Sequence, residues 1–491
     1  MDLFLIGHHY QYAVEQSLLT LFPGQKPVYP ERPGAQPYIV VRQSRGEVYT
    51  SLTTTMHLEQ GTYTGTARVR NDALTGQPMA DDRLLQRLVR QSFYRAAMAT
   101  GMPRPQWGAL TGVRPTKLMT NLLREGQSDA RAAAAFQREY FTSPARTALC
   151  LDTAHYSMTA QDSLGPRDVC LYVGIPFCPT RCTYCSFVSQ SVEKSMKLIE
   201  PFFEALMLEI EATAEQVRAL GLRPVSLYLG GGTPTTLSPQ QLDALFTKLE
   251  TCFDLSALRE ITVEAGRPDT ITREKLQVLR AHGTGRVSVN PQTMNDSVLE
   301  AIGRRHTAED ILRAFRLVRE TDMAINMDLI AGLPTDTAES FHATMDRVLE
   351  LAPENVTVHT LSLKKGARLT DEGGDIPTAQ VVEAMLDEAH PRLREAGYAP
   401  YYLYRQKNMS GGFENTGWCL PGTENLYNIC IMEELCSIIA MGAGGSTKLV
   451  APTGKIERLF APKYPNEYIS GIEKTCRDKK KIGEFYGLST D

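Results

Sequence analysis

Residues 175–187 read IPFCPTRCTYCSF and contain three cysteines, Cys178, Cys182 and Cys185, in the spacing C-x3-C-x2-C. The stretch directly follows a short apolar run at 169–173 that is typical of a buried strand. Thiolates are the ligands of iron–sulfur clusters, and prolines favour a loop that folds three of them around one cubane. Three cysteines leave one iron of a 4Fe–4S cluster without a protein ligand, so a small molecule can chelate it, as at an open catalytic zinc site.

Two other interpretations of the three cysteines stay open. A structural zinc site would need a fourth ligand, for which Cys170 or a distant histidine is the candidate. Chance clustering of core cysteines is the second, although the neighbouring proline, arginine and threonine residues are poor core material. The chain has ten cysteines, and in a reducing compartment thiols and metal ligands are expected rather than disulfides.

Six short apolar runs follow one another from residue 169 onward, and segments of helical period separate them. Two of these segments begin with a capping signal, at 238–241 and 307–310. Strict alternation of strands and helices implies parallel strands with right-handed crossovers. The pattern predicts an α/β fold, a partial (β/α)6 barrel with its catalytic groups at the carboxyl ends of the strands. The runs cover residues 169–173, 225–229, 261–264, 286–289, 325–330 and 356–359.

The flanking regions have less regular patterns. We predict an N-terminal α+β domain of unknown role at 1–162, the barrel at 163–366 and a C-terminal α+β extension on the substrate side at 367–491. The predicted strands of the flanks are 37–42, 47–55 and 398–404, and the predicted helices are 81–98, 117–137, 378–396 and a segment near 432–440.

The composition gives no sign of a protein that binds nucleic acid or membranes. The chain has 491 residues, a net charge of -4 and a pI near 6.2, so no global basic field favours nucleic acid or an anionic membrane. The first residues lack the basic region and cleavage site of a secretory signal, and no apolar run approaches the ~18 residues of a membrane span. A cytoplasmic location is the resulting expectation.

The cysteine stretch resembles the signature of the radical S-adenosylmethionine (SAM) superfamily. The longer string LYVGIPFC at 171–178 resembles the branch of oxygen-independent coproporphyrinogen III oxidases, also called coproporphyrinogen dehydrogenases. A long N-terminal region and the string GWCLPG at 417–422 resemble a longer variant of that branch. Further motifs follow in the family order: LGGGTPT at 229–235, VEAGRPD at 263–269, RVSVNPQTMND at 286–296, GRRH at 303–306 and NMDLIAGLP at 326–334.

The resemblance implies a 4Fe–4S cluster on the three cysteines and SAM on its open iron. Glycines after a strand let a backbone approach a ligand, although a plain strand-to-helix turn would need them too. A carboxylate at a strand end can accept both ribose hydroxyls, and a guanidinium can grip the SAM carboxylate through two parallel hydrogen bonds. Two tyrosines near the cysteines are expected to cover the cluster and the adenine. The residues implied in SAM binding are Tyr172, Tyr184, Gly231, Gly232, Thr233, Glu264, Gln292, Arg304 and Asp328.

The resemblance further implies oxidative decarboxylation of coproporphyrinogen III, with a low-potential electron donor such as flavodoxin or ferredoxin. The substrate carries four carboxylates, for which Arg267, Arg405, Lys407 and Lys448 are the candidate cations. No catalytic residue is assigned.

The chain departs from the prototype at two points. Gly174 stands where the prototype has histidine, and Ser186 and Phe187 follow the last cysteine where a fourth cysteine would be expected. The second departure resembles the heme chaperones of the same branch. A heme-binding chaperone and a radical SAM enzyme acting on another tetrapyrrole or a peptide are therefore the alternatives. For Cys419, Cys430 and Cys436, a structural role is favoured over a redox or ligand role.

Overall fold

The computed structural model describes residues 1–32, 34, 37–186, 190–362, 367–369, 375–406 and 410–488, and it divides into two compact units, Met1–Leu151 and Asp152–Asp491. Among the described residues, each helix is either too short or too polar to cross a lipid bilayer. The division of the chain at 163 and 367 stays a prediction.

The first unit is built on a four-stranded sheet in the order β1-β2-β3-β4. β1 runs parallel to β2, and the other pairs are antiparallel. Side chains of β3 alternate between buried and partly exposed, as in a sheet with one covered face. The strands are β1 Asp2–Ile6, β2 Tyr38–Arg45, β3 Tyr49–Leu58 and β4 Gly61–Arg70, and the helices are Gln11–Leu21, Pro78–Ala99, Pro115–Arg124 and Asp129–Tyr140.

The predicted strands at 37–42 and 47–55 and the helix at 81–98 are confirmed in this unit. The single helix predicted at 117–137 is wrong, because the chain turns at Gly126, whose φ of 83° favours glycine, and a second helix follows. β1, β4 and the first helix were not predicted. β4 has few apolar residues, and the apolar run of β1 is only four residues long.

The second unit contains an eleven-stranded sheet in the order β13-β14-β12-β11-β10-β9-β8-β5-β15-β16-β17. Its strands are β5 Asp168–Ile175, β8 Arg223–Gly231, β9 Glu260–Glu264, β10 Arg286–Ser288, β11 Ala324–Ala331, β12 Asn355–Thr360, β13 Ala399–Arg405, β14 Glu414–Cys419, β15 Ser437–Gly442, β16 Ser446–Val450 and β17 Ile456–Phe460, and a separate pair is β6 Phe177–Cys178 with β7 Gln190–Ser191.

Helices lie between the strands and follow the last strand. From Pro144 onward they are Pro144–Asp162, Val192–Ser195, Ile199–Ala219, Pro239–Cys252, Arg273–Ala281, Asp296–Ala301, Ala308–Arg319, Ala338–Leu351, Ala379–Glu395, Leu426–Glu433, Pro465–Ser470, Ile472–Asp478 and Lys480–Leu488. Both predicted capping boxes are present, with Ser238 paired to Gln241 and Thr307 paired to Asp310.

All six predicted barrel strands are confirmed as β5 and β8–β12, and each neighbouring pair is parallel. The predicted α/β class, with strands and helices in alternation, is therefore correct. Parallel strands place all their carboxyl ends at one edge of the sheet, which is where side chains from different strands can meet.

The predicted helix near 432–440 is wrong. The helix Leu426–Glu433 ends at Glu434, whose φ of 58° is left-handed, and the next residues form β15 beside β5. All six residues of β15 are buried. A short, continuously apolar run of this kind fits a buried strand as well as a helix, so periodicity could not separate them.

A buried ion pair holds the C-terminal helices on the barrel. Glu209, on the helix Ile199–Ala219, is fully buried and lies 2.7 Å from the Lys479 ammonium. It also accepts hydrogen bonds from the Gly442 amide and the Tyr468 hydroxyl. Lys479 donates in addition to the carbonyl of Ala440, 2.7 Å away. One carboxylate therefore links the outer helix, β15 and the C-terminal segment.

Replacing Lys479 by methionine should destabilise the second unit by about 3–5 kcal/mol, because Glu209 would keep a buried charge without its partner. Lys481→Met is the matched control, since its salt bridge to Asp478 is 51% exposed at the lysine and is worth less than about 1 kcal/mol. Denaturant unfolding measures both changes. Equal effects of the two substitutions would contradict the role of the buried pair.

Candidate functional site

The loop that carries Cys178, Cys182 and Cys185, here called the cysteine loop, begins at the carboxyl end of β5. Backbone hydrogen bonds join its start to the end of β8. The amide of Gly232 donates to the Ile175 carbonyl and that of Thr233 to the Phe177 carbonyl, both at 2.7 Å. A Cβ atom on Gly232 would lie 2.5 Å from the Phe177 oxygen. The absence of a side chain therefore lets β8 approach the backbone of the cysteine loop, a reason that the motif alone did not reveal.

The three predicted cluster cysteines are all partly exposed thiols. The Thr233 hydroxyl donates to the Cys178 sulfur across 3.4 Å, and the Cys185 amide donates to the Cys182 carbonyl. The three sulfurs are not a group within 4.8 Å of one another, unlike a second trio discussed below. Each thiolate of a cubane binds a different iron, so its sulfurs lie further apart than the ligands of a single ion.

Arg304 lies beneath the cysteine loop and is only 7% exposed. Its guanidinium donates to the Asn290 carbonyl at 2.6 Å and to the Tyr184 hydroxyl at 3.3 Å. Burial acts to lower the pKa of Arg304, but the neighbouring Tyr184 hydroxyl and Cys182 thiol reverse this and raise it. The structure therefore brings three predicted site residues together around one permanent positive charge.

Glu264 ends β9 and accepts a hydrogen bond from the Tyr228 hydroxyl at 2.6 Å. Burial raises the pKa of Glu264 to about 7, the Tyr228 hydrogen bond opposes this, and the negative charge of Asp328 adds to the rise. Near neutral pH this carboxyl can therefore hold or release a proton.

Asp328, on β11, lies in a different electrostatic environment. Burial acts to raise its pKa, but His359 and Asn326 reverse this and lower it. The Asn326 amide donates to one carboxylate oxygen at 2.8 Å, and the His359 ring nitrogen lies 3.8 Å from the other. Two side chains of the protein therefore offset the cost of burying this carboxylate, and the role of Asp328 in SAM binding stays a prediction.

Gln292 follows β10 and has a left-handed backbone conformation, with a φ of 67°. Its backbone exchanges hydrogen bonds with Asp328 and Ile330 of the neighbouring strand. A non-glycine residue in this conformation is uncommon and persists where its surroundings hold it in place. The side chain of Gln292 is 7% exposed.

Six of the twenty buried polar atoms without a hydrogen-bond partner in the described part of the chain belong to the cysteine loop and to the segment that follows β10. Such atoms are costly unless a ligand or water satisfies them. The three thiols of the adjacent loop suit a cluster, and these polar atoms suit hydrogen bonds to the carboxylate and amine groups of SAM. They are Thr183 Oγ1, Asn290 Oδ1, Gln292 Oε1, Arg304 Nε and both ring nitrogens of His306.

Three tyrosines stack inside the barrel next to Glu264. The ring centres of Tyr228 and Tyr427 are 4.3 Å apart, and Tyr172 lies 6.2 Å from the first and 6.1 Å from the second. Tyr172 was predicted to cover the cluster and the adenine, and its contacts are with this stack. Sequence reasoning missed Tyr228 and Tyr427, because single tyrosines in apolar segments are indistinguishable from core residues.

The cations predicted to meet substrate carboxylates are engaged elsewhere or not described. Arg267 is 3% exposed and is paired to Asp269. Arg405 donates twice to the Gly412 carbonyl, and Lys448 donates to the Ile431 carbonyl. Lys407, like Phe187, lies outside the described residues.

Other cations line a cavity of ≈ 1090 Å³ beside the cysteine loop. Burial, followed by the charges of Arg304 and Arg267, lowers the pKa of His306 to about 3, so its ring is neutral and can accept or donate a hydrogen bond. The cationic and imidazole side chains of the lining are Arg181, Arg304, Arg305, Arg368 and His306.

Comparison with known proteins identifies the family of the chain. The family model described as Radical SAM superfamily matches residues 172–348. The chain is 39% identical over 386 residues to the oxygen-independent coproporphyrinogen-III oxidase-like protein HemZ of Bacillus subtilis, covering 77% of each chain.

Two further similarities involve proteins of different function. The chain is 34% identical over 349 residues to the heme chaperone HemW of Bacillus subtilis, covering 65% of this chain and 87% of HemW. The solved structure of coproporphyrinogen III oxidase HemN from Escherichia coli, a radical SAM enzyme, matches with a TM-score of 0.53 at 26% identity, covering 66% of this chain and 73% of HemN.

Substituting Gly232 by alanine should displace the cysteine loop, because the new Cβ would meet the Phe177 carbonyl. We expect the variant to lose most of the iron that the wild type binds after anaerobic reconstitution, as measured by iron analysis and absorption. Gly285→Ala is the control, since the nearest atom to its Cβ would be 4.0 Å away. Normal iron content in Gly232→Ala would refute the proposed fastening of the loop.

Glu264→Gln should stabilise the ligand-free protein at pH 8 but not at pH 5. The pKa of Glu264 is raised to about 7 by burial, so folding favours the protonated form, and this stabilisation is lost as pH rises through 7. Glutamine imitates the protonated carboxyl at every pH. We expect a Tm gain of about 2–4 °C at pH 8. The exposed Glu300→Gln should show no such pH-dependent gain, and a gain equal at both pH values would contradict the assignment.

Proposed function

This chain belongs to the radical SAM superfamily, in the oxygen-independent coproporphyrinogen III oxidase branch, and from that premise we propose that it oxidatively decarboxylates two propionate side chains of coproporphyrinogen III to vinyl groups. The observation that carries the proposal is the group of unpartnered buried polar atoms at the strand ends beside three loop thiols. The 39% identity to HemZ supports the choice of a tetrapyrrole.

The superfamily uses a 4Fe–4S cluster and SAM, which together supply a 5′-deoxyadenosyl radical when bound. Cys178, Cys182 and Cys185 would hold the cluster. Their loop is fastened by backbone hydrogen bonds at 2.7 Å, so the three thiolates enter a preformed position. The electron donor remains a low-potential protein such as flavodoxin or ferredoxin in this proposal.

Arg304 would bind the carboxylate of SAM. Its Nε atom has no partner in the described part of the chain, while its other nitrogens are fixed by Asn290 and Tyr184. A guanidinium held in this way keeps its direction and its charge. Glu264 would accept the ribose hydroxyls, and these donors would favour its ionised form.

The carboxylates of the substrate would meet the cavity beside the cysteine loop. Arg181 and Arg368 line it, and a permanent cation suits a propionate better than a neutral donor does. Arg305 also lines the cavity but is paired with Glu193 at 2.7 Å, and Asp296 and Glu300 add negative charge to the lining. Each propionate would lose one β-hydrogen atom to the radical and then CO₂, and the one electron released with CO₂ would pass to an external one-electron acceptor. The partly exposed Tyr172 and the stack beneath it would form the apolar floor that excludes water from the reacting carbon.

A heme chaperone is the second candidate. The similarity to HemW, which covers 87% of that protein, favours it, as does Ser186 where the prototype has another cysteine. In this alternative the cluster site would be retained and the cavity would hold heme.

Anaerobic turnover tests the first proposal. Reconstituted protein with SAM, a reductant and coproporphyrinogen III should release 5′-deoxyadenosine and protoporphyrinogen IX, measured by chromatography. Cys182→Ala should reduce both products to background, while Cys252→Ala, a partly exposed thiol on another helix, should leave both unchanged.

The two candidates predict different results in that assay. SAM cleavage without porphyrinogen product would eliminate this substrate. Stoichiometric heme binding with a shifted Soret band, together with no turnover, would select the chaperone.

A further inference from the structure

A second group of three cysteines lies inside the barrel, away from the cysteine loop. Cys170 is on β5, Cys430 is on the helix Leu426–Glu433, and Cys436 directly precedes β15. Their sulfur atoms all lie within 4.8 Å of one another, and those of Cys170 and Cys436 are 3.7 Å apart. Two parts of the chain that are distant in sequence, β5 and the segment from Cys430 to Cys436, thus bring their thiols to one point.

This point lies at the opposite end of β5 from the cysteine loop. Cys170 precedes Ile175, the last residue of the strand, by five positions, which corresponds to roughly 16 Å along an extended chain. The thiols are buried, with exposures of 0%, 0% and 7% for Cys170, Cys430 and Cys436. They therefore belong to a separate site from the one that would hold the 4Fe–4S cluster.

The sulfur spacing fits one metal ion. Thiolates bind Zn²⁺ at about 2.3 Å, so two of them on one ion lie about 3.8–4.0 Å apart in tetrahedral or trigonal geometry. The observed 3.7 Å between Cys170 and Cys436 is close to this spacing. A disulfide would require the same sulfurs to approach to about 2.05 Å and would leave the third thiol unused.

The three sulfurs form a compact group in an apolar environment. Those of Cys170 and Cys436 are 3.7 Å apart, and either can donate a hydrogen bond to the other. An isolated thiolate in this apolar, tyrosine-lined cluster would be costly without a bound cation.

Two carboxylates that interact with the trio have cationic partners. Asp168 is salt-bridged to Arg223 at 2.6 Å, and Glu260 lies 3.4 Å from Arg286. Neither carboxylate therefore brings an unpaired negative charge to the sulfurs. A metal ion would supply the positive charge that two or three thiolates require.

We propose that Cys170, Cys430 and Cys436 bind a single thiophilic cation, of the Zn²⁺ or Cu⁺ class. Soft thiolate ligands select these ions. In the described chain, no histidine, aspartate or glutamate ligand atom joins the trio within 4.8 Å, so the protein contributes three sulfurs. This site is independent of the proposed reaction and of the 4Fe–4S cluster.

The ion would join β5 to the segment that carries Tyr427. That tyrosine is three residues before Cys430 on the same helix and stacks on Tyr228 beside Glu264. Metal binding would therefore hold the tyrosine stack in register with the barrel. Its role is structural, and it needs no redox step.

Metal analysis of the full-length, anaerobically reconstituted protein tests the site, because zinc and copper are distinguished from cluster iron by element. We expect one equivalent of Zn²⁺ or Cu⁺ to bind in competition with a chromophoric chelator. X-ray absorption at the edge of that metal should show three sulfur ligands at about 2.3 Å. The Zn²⁺ and Cu⁺ titrations, run separately, identify which ion is preferred.

Cys430→Ser should weaken that binding by about 100-fold or more, beyond the loss typical of removing an outer hydrogen-bond partner. Iron content should remain at the wild-type level, which separates this site from the cluster. Cys252→Ser, a cysteine on a different helix, is the matched control and should bind like the wild type.

Three results would overturn the proposal. The first is equal metal affinity in the wild type and in Cys430→Ser, and the second is an X-ray absorption spectrum that shows fewer than three sulfur ligands. The third is a disulfide between Cys170 and Cys436 in the anaerobic protein. If Cys430→Ser does not fold, as judged by circular dichroism, the metal affinity of Cys436→Ala and the X-ray absorption spectrum of the wild type test the proposal instead.

Discussion

The site depends on two backbone hydrogen bonds between the end of β8 and the start of the cysteine loop. Gly232 and Thr233 donate to the carbonyls of Ile175 and Phe177, and only a glycine fits at the first position. These bonds fix where the loop leaves the sheet. The position of the three thiols that would hold the cluster therefore depends on these backbone hydrogen bonds.

Charge at the strand ends is arranged so that neighbouring groups have different protonation states. Arg304 is held positive, Asp328 is held negative by Asn326 and His359, and Glu264 has a pKa raised to about 7 by burial. A ligand that donates hydrogen bonds would therefore find one carboxylate ready and a second that it can ionise on binding. The surroundings of the two carboxyl groups, and not their chemistry, therefore make Asp328 and Glu264 differ in protonation.

The strands of the barrel were predictable, because the alternation of apolar runs and capped helices is visible without tertiary information. The residues at the strand ends were implied by the family resemblance, and their role stays a prediction. The β15 strand was not predictable, since the mostly apolar residues Ser437–Gly442 fit either element and only pairing with β5 decides between them. The convergence of Cys170, Cys430 and Cys436 depends on that same pairing. No local pattern could have placed residues 266 positions apart in contact.

The position of β15 beside β5 also has a consequence for how the chain folds. The first barrel strand, β5, pairs with a strand that is made about 260 residues later, so the nascent sheet has one unpaired edge during synthesis. Contacts of such long sequence separation form slowly. Exposed edges invite aggregation, and a partly synthesised or truncated chain that lacks residues beyond 436 should depend strongly on chaperones.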